Sequence, residues 1–262
     1  MVRMVDGKKL LGLMVATALW LPATGVLLPE RASAQSAPAP AIDAAALLAE
    51  ADRLLEQANQ EYRASQFQEA LQSYQQVLEL YQDPAVQAEF SQESRSGEGR
   101  ARHNLGLVYA AQGEHQQAIE LYEQGLSILR ELDDRPREGI ALSNLGNAYY
   151  SLGQYEQAIE FYEQGLVIFR ELGDRPSEEI ALSNLGNAYY SLRQYEQAIE
   201  FYEQGLVIVR ELGDRPREGM ALSNLGDAYN SLGQYQQAIT RYEQLLATNR
   251  EIGSRIEEGD AL

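Results

Sequence analysis

Apolar residues recur along most of this chain in two interlocked stripes. Between Asp134 and Gly153, Leu142, Leu145, Gly146 and Tyr149 fall on one side of a 3.6-residue period. In the stretch that follows, Tyr155, Ala158, Ile159, Tyr162, Leu166 and Phe169 share one face, while Glu156, Glu160 and Glu163 take the other. Each stripe predicts an amphipathic helix. Asp134-Arg135-Pro136 opens the first, with proline near the first helical position and Glu138 in the first turn, where negative charge suits the helix dipole. Gly153 closes it in a left-handed turn. Two such helices joined by a tight turn cannot bury both stripes alone, so each pair must stack on the next.

The pattern repeats. Asn104, Asn144, Asn184 and Asn224 stand forty residues apart, each followed by Leu-Gly. Segments 141–180 and 181–220 are identical at 35 of 40 positions, differing at Gly153/Arg193, Phe169/Val209, Ser177/Arg217, Glu179/Gly219 and Ile180/Met220. Such self-similarity takes precedence over any local motif. The repeats are residues 101–140, 141–180, 181–220 and 221–260. An earlier, degenerate pair lies at 43–82, where Phe67, Ala70, Leu71 and Tyr74 match Tyr155, Ala158, Ile159 and Tyr162. It loses the Leu-Gly pair, as a capping unit with one solvated side does. The fold class is therefore all-α: a solenoid of about five antiparallel helix pairs.

Two places break the rhythm. Asp83-Pro84 starts a helix 21 residues before Asn104, whereas Asp134 lies ten before Asn144. Residues 83–100 thus form a connecting segment, its helix either longer by about three turns or broken near Gly97 and Gly99. Ala261-Leu262 repeats Ala141-Leu142, which reads as the start of a further repeat. With no polar closing helix after it, the last pair is expected to leave an apolar seam that a second chain could cover.

Leu145-Gly146-x-x-Tyr149 and Ala158-x-x-x-Tyr162 resemble the tetratricopeptide repeat, whose signature includes L-G-x2-Y and A-x3-F. A forty-residue unit exceeds the usual 34 or so and is similar to the repeats of kinesin light chain and Leu-Gly-Asn proteins. Arg193, in place of the turn glycine, departs from the pattern at a cost of about 1 kcal/mol. The forty-residue units, an export leader and the phrase Arg-Glu-Leu-Gly-Asp-Arg (Arg170 to Arg175) also resemble the front of bacterial proteins that carry a C-terminal caspase-like CHAT domain. That domain and its Cys/His dyad are missing from this sequence, so its activity does not carry over; the regulatory front of a split protease is a subsidiary reading.

The resemblance implies a concave groove that binds a protein or an extended peptide. Asn144 lies about 200° around the helix from core residue Leu142, at roughly 100° per residue, so the row Asn104, Asn144, Asn184 and Asn224 faces away from the packed seam. A second row follows, Leu107, Asn147, Asn187 and Asp227, and a third, Ala110, Tyr150, Tyr190 and Asn230. An asparagine amide offers donors and an acceptor to any peptide bond, whatever the side chains. The same asparagines could instead cap or bridge neighbouring helices, and recurrence does not separate the two roles. Glu56 at the equivalent place in the capping pair favours the groove role.

Composition narrows the chemistry. The chain has 262 residues, no cysteine, two histidines and a net charge of −18. Thiolate catalysis, disulfides and zinc–sulfur sites are excluded, and so acidic a chain is not expected to hold nucleic acid. The glutamates on the second helices (Glu120, Glu160, Glu200) read as a solvated face that favours basic partners. His103 and His115 have no metal spacing, and His115 replaces a packing tyrosine, which predicts satisfied structural histidines. Paired carboxylates sit on faces expected to be exposed, with no pocket to shift a pKa. No enzymatic activity, cofactor, metal or small-molecule substrate is expected.

The N-terminus reads as an address. Arg3, Lys8 and Lys9 precede an uncharged run from Leu10 to Leu28, and Ala32-Ser33-Ala34 completes the pattern of a cleavable export signal over residues 1–34. Pro22 and the Ala-Ser-Ala site weigh against an uncleaved anchor at residues 10–28. Cleavage after Ala34 removes Arg3, Lys8, Lys9, Arg31, Asp6 and Glu30, taking the balance from −18 to −20. Residues 35–42 form a Pro/Ala linker. The mature protein is expected outside the cytoplasm.

Overall fold

The structure, a computed structural model, describes residues 43–260, with side chains described for residues 43–253. The expected signal (1–34), the linker (35–42) and Ala261-Leu262 lie outside the described residues. Eleven helices account for the regular structure among the described residues: α1 (Ala44–Arg63), α2 (Phe67–Tyr81), α3 (Pro84–Glu89), α4 (Ser91–Ala111), α5 (His115–Glu131), α6 (Arg135–Ser151), α7 (Tyr155–Leu172), α8 (Arg175–Ser191), α9 (Tyr195–Leu212), α10 (Arg215–Ser231) and α11 (Tyr235–Asp260). Five pairs, α1/α2, α4/α5, α6/α7, α8/α9 and α10/α11, each pack internally and on the next pair, with α3 as a short extra helix. No described helix is long and apolar enough to cross a membrane.

Local chemistry sets the helix ends. Asp134, Asp174 and Asp214 accept from the backbone N–H of Arg137, Ser177 and Arg217 at 3.2, 3.2 and 3.0 Å, and a proline follows in the first turn. Between the helices of a pair, Gly153 takes φ +74°; Arg193 is held at +61° in the matching turn. The small residues are set by contact. A Cβ on Gly146 would lie 2.5 Å from the Tyr162 ring, and Gly106, Gly186 and Gly226 stand likewise against Tyr122, Tyr202 and Tyr242. The Leu-Gly pair therefore exists to let a tyrosine of the second helix lie flat on the backbone of the first.

The connecting segment breaks at neither of its glycines. The chain kinks at Phe90 (φ −128°, ψ 52°), separating α3 from α4. Gly97 and Gly99 lie inside α4, where Tyr81 and Ile128 fill the space their side chains would occupy. α4, at 21 residues, exceeds α6 by about one turn rather than three. The far end differs too. α11 runs without interruption through Gly253 to Asp260. Where residues 173–176 and 213–216 read Gly-Asp-Arg-Pro, this place has Gly253-Ser254-Arg255-Ile256, lacking both the capping aspartate and the proline that obstructs helix continuation.

The expectation that carboxylates lie exposed fails at four repeat positions. Glu120, Glu160 and Glu200 are solvated, but Glu98, Glu138, Glu178 and Glu218 are buried. Each takes two guanidiniums. Glu138 pairs with Arg130 at 2.8 Å and Arg135 at 2.6 Å, Glu178 with Arg170 and Arg175, Glu218 with Arg210 and Arg215, and Glu98 with Arg95 and Arg102. Arg135 also reaches Glu171 on α7 at 2.6 Å, so a single clamp ties α5, α6 and α7 together. Burial pushes the Glu98, Glu138 and Glu218 carboxyls up, yet hydrogen bonds from the flanking side chains, chiefly arginines, outweigh it and hold them below the usual range. The phrase from Arg170 to Arg175 is thus an inter-repeat clamp.

Candidate peptide-binding groove

The first helices α4, α6, α8 and α10 carry the predicted rows side by side. Asn104 donates to Asn59 Oδ1 on α1 at 2.8 Å, and Asn184 donates to Asn147 Oδ1 on α6 at 3.3 Å. Asn144 finds His103 Nε2 at 3.1 Å instead, because the α4 position matching Asn147 is Leu107. Asn224 makes no side-chain hydrogen bond among the described residues. Three of the four asparagines therefore do bridge neighbouring first helices, as the alternative reading allows.

The second row is pinned from below. Phenols donate across each pair, the buried Tyr162 to Asn147 at 2.8 Å, the buried Tyr202 to Asn187 at 2.7 Å and the half-buried Tyr242 to Asp227 at 2.6 Å. The Asp227 carboxylate and desolvation push the Tyr242 phenol up to about 12. In the third row, Tyr150 shares a 3.0 Å hydrogen bond with Ser191, and Tyr190 one with Ser231, while Asn230 is exposed. These bonds use only part of each amide. Among the described residues, Asn144 and Asn184 spend a donor and keep Oδ1 unpaired, while Asn147 and Asn187 spend their acceptor and keep Nδ2 unpaired. A peptide bond asks for one of each.

Cavities open along these rows. One of about 230 Å³, between α6 and α8, is lined by Asn147, Tyr150, Asn184 and Asn187. Another of about 210 Å³, between α8 and α10, is lined by Glu179, Ser183, Asn184, Arg217, Met220 and Asn224. The matching cavity between α4 and α6, about 220 Å³, presents Arg100, His103, Asn104, Arg137 and Ile140. Ile140, Ile180 and Met220 are exposed here, forming an apolar row that sequence reasoning missed. Their forty-residue spacing carried the signal, hidden because a polar-face position was not expected to be apolar.

His103 and His115 are not satisfied as expected. Both Nδ1 atoms are buried with no hydrogen-bond partner among the described residues. Asn144 donating to Nε2 requires His103 to be neutral, and burial pulls its pKa down to about 4. No group of three or more potential metal ligands occurs among the described residues.

Helix pairs stacked in series, with amide rows and cavities along the first helices, define an α-solenoid with a binding face. The tetratricopeptide repeat profile matches residues 97–171 and 177–251, and a second tetratricopeptide profile matches 55–129. This chain belongs to the tetratricopeptide repeat family. Among solved structures it is similar to a Podosopora anserina kinesin-light-chain-like protein of nearly identical TPR-like repeats, at 27% identity and a TM-score of 0.64, covering 78% of this chain and 97% of that one. It also shares the fold of BtubC from P. vanneervenii (20% identity, TM-score 0.59, 80% and 92% covered) and of MamA (20%, 0.56, 75% and 96%). A search of curated proteins finds no match. Tetratricopeptide repeats mediate protein–protein interaction.

Proposed function

We propose that this protein is a non-enzymatic interaction scaffold that holds an extended peptide or a partner protein against the first helices. One observation carries the reading: Asn184 bonded to Asn147 with an acceptor of the first and the amide donors of the second unpaired among the described residues, beside exposed Ile140, Ile180 and Met220. The amides fit backbone and the apolar row fits side chains. Nucleic acid does not suit a net charge of −18. The test is Asn144→Ala with Asn184→Ala, assayed on an array of 12-residue peptides. Captured signal is expected to drop about tenfold with helicity unchanged. If the double variant unfolds, the asparagines are structural and the reading falls.

A second reading is self-association through α11. Ile239 is 49% exposed and Leu246 55%, whereas their counterparts Ile159 and Leu166, covered by the next pair, are 9% and 5% exposed. Light scattering across concentration is expected to show dimers that Ile239→Glu with Leu246→Glu abolishes; a monomer at every concentration removes this reading. Export is supported by the basic, apolar and Ala-Ser-Ala run at the N-terminus. The exported protein is then expected to begin at Gln35 by N-terminal sequencing.

A further inference from the structure

The groove carries one carboxylate that the fold does not require. Glu179 stands where Gly99, Gly139 and Gly219 stand in the other repeats. It fits because of a second change: the Phe169 ring fills this place beside Gly139, where a Cβ would lie 2.8 Å from it, and Val209 takes the phenylalanine's position in the next pair. Gly139 to Glu179 and Phe169 to Val209, from one pair interface to the next, are thus one coupled exchange of ring for carboxylate.

Glu179 is 5% exposed and lines the cavity between α8 and α10. Its partners are thin. Ser183 donates to it at 2.8 Å, and its ion pair with Arg217 spans 3.5 Å. Arg217 is shared, lying 3.5 Å from the capping Asp214 as well. The four clamped glutamates, equally buried, each hold two guanidiniums at 3.0 Å or closer. A buried carboxylate is costly unless well compensated, so a cation entering this cavity meets an under-neutralised partner. Arg217 can turn to Asp214 to make room. The exposed Met220 at the cavity's edge suits the aliphatic stem of a long basic side chain.

Building on the groove reading above, we infer that the α8/α10 cavity is a specificity pocket that takes a lysine or arginine side chain of the bound peptide. Glu179 is the charge that selects it, Asn184 and Asn224 flank the peptide backbone, and the acidic chain as a whole draws a basic partner in.

The experiment uses the full chain and an array of 12-residue peptides whose central residue is Lys, Arg, norleucine or Glu. Wild type is expected to prefer Lys and Arg over norleucine by at least about tenfold. Glu179→Gln, which keeps the shape, is expected to reduce that preference to within about twofold while norleucine peptides bind as before. Glu179→Gly with Val209→Phe copies the preceding pair, is expected to fold, and should lose the preference equally. Peptide binding without a basic preference, or a preference that survives both variants, overturns the pocket and leaves the groove standing. No binding by any peptide overturns both.

Discussion

Single residues set how closely the helices approach and how stability follows pH. Gly146 lies under the Tyr162 ring, so Gly146→Ala is expected to cost about 1–3 kcal/mol, read from urea midpoints, because the buried ring has nowhere to move. Acid acts through two separate groups. His103 is held neutral, with its pKa pulled to about 4, so its contribution is complete above the unfolded value of about 6.5 and is lost as pH falls toward 4. Glu98, Glu138 and Glu218 lie below the ordinary carboxylate value of 4.5; their contribution is present above it and is lost further down. Thermal melts should therefore fall in two windows. His103→Ser, which copies Ser143, is expected to flatten the window between pH 6.5 and 4 and leave the lower one. An unchanged upper window would show that His103 does not titrate with folding.

At the scale of the helix, turns and caps were the legible part. Asp-Arg-Pro starts and glycine stops follow from backbone chemistry; the structure repeats the starts at α6, α8 and α10 and the glycine stops after α6 and α10. Arg193 shows the cost of departing from them. Held at φ +61°, it is expected to yield about 1 kcal/mol of stability when replaced by glycine, measured as a raised urea midpoint at unchanged slope. Where periodicity was extended beyond those signals it misled. Gly97 and Gly99 read as breakers, but their space is taken by Tyr81 and Ile128. The last repeat kept its glycine yet lost aspartate and proline, and α11 continues. A helix ends where several signals agree, and one glycine is not enough.

At the scale of the molecule, stability is a sum over pairs and the interfaces between them. Deleting residues 181–220 removes one full period and joins Ile180 to Ala221 in register. The shortened chain is expected to stay folded, with a urea slope lower by about a fifth, in proportion to the surface it no longer buries. A collapse of all structure would mean the array folds as one indivisible unit.

The forty-residue recurrence fixed by itself the helix pairs, their number, their stacking and the family, because apolar stripes that cannot be buried within one pair force a continuous array. It also placed the asparagine rows on one face, since helical angle alone decides that. Burial of Glu138 and its copies, the half-spent amides and the ring-for-carboxylate exchange at Glu179 were settled only in three dimensions. Each depends on which side chain of another helix occupies the neighbouring space, and a one-dimensional period records spacing without recording what lies across the gap.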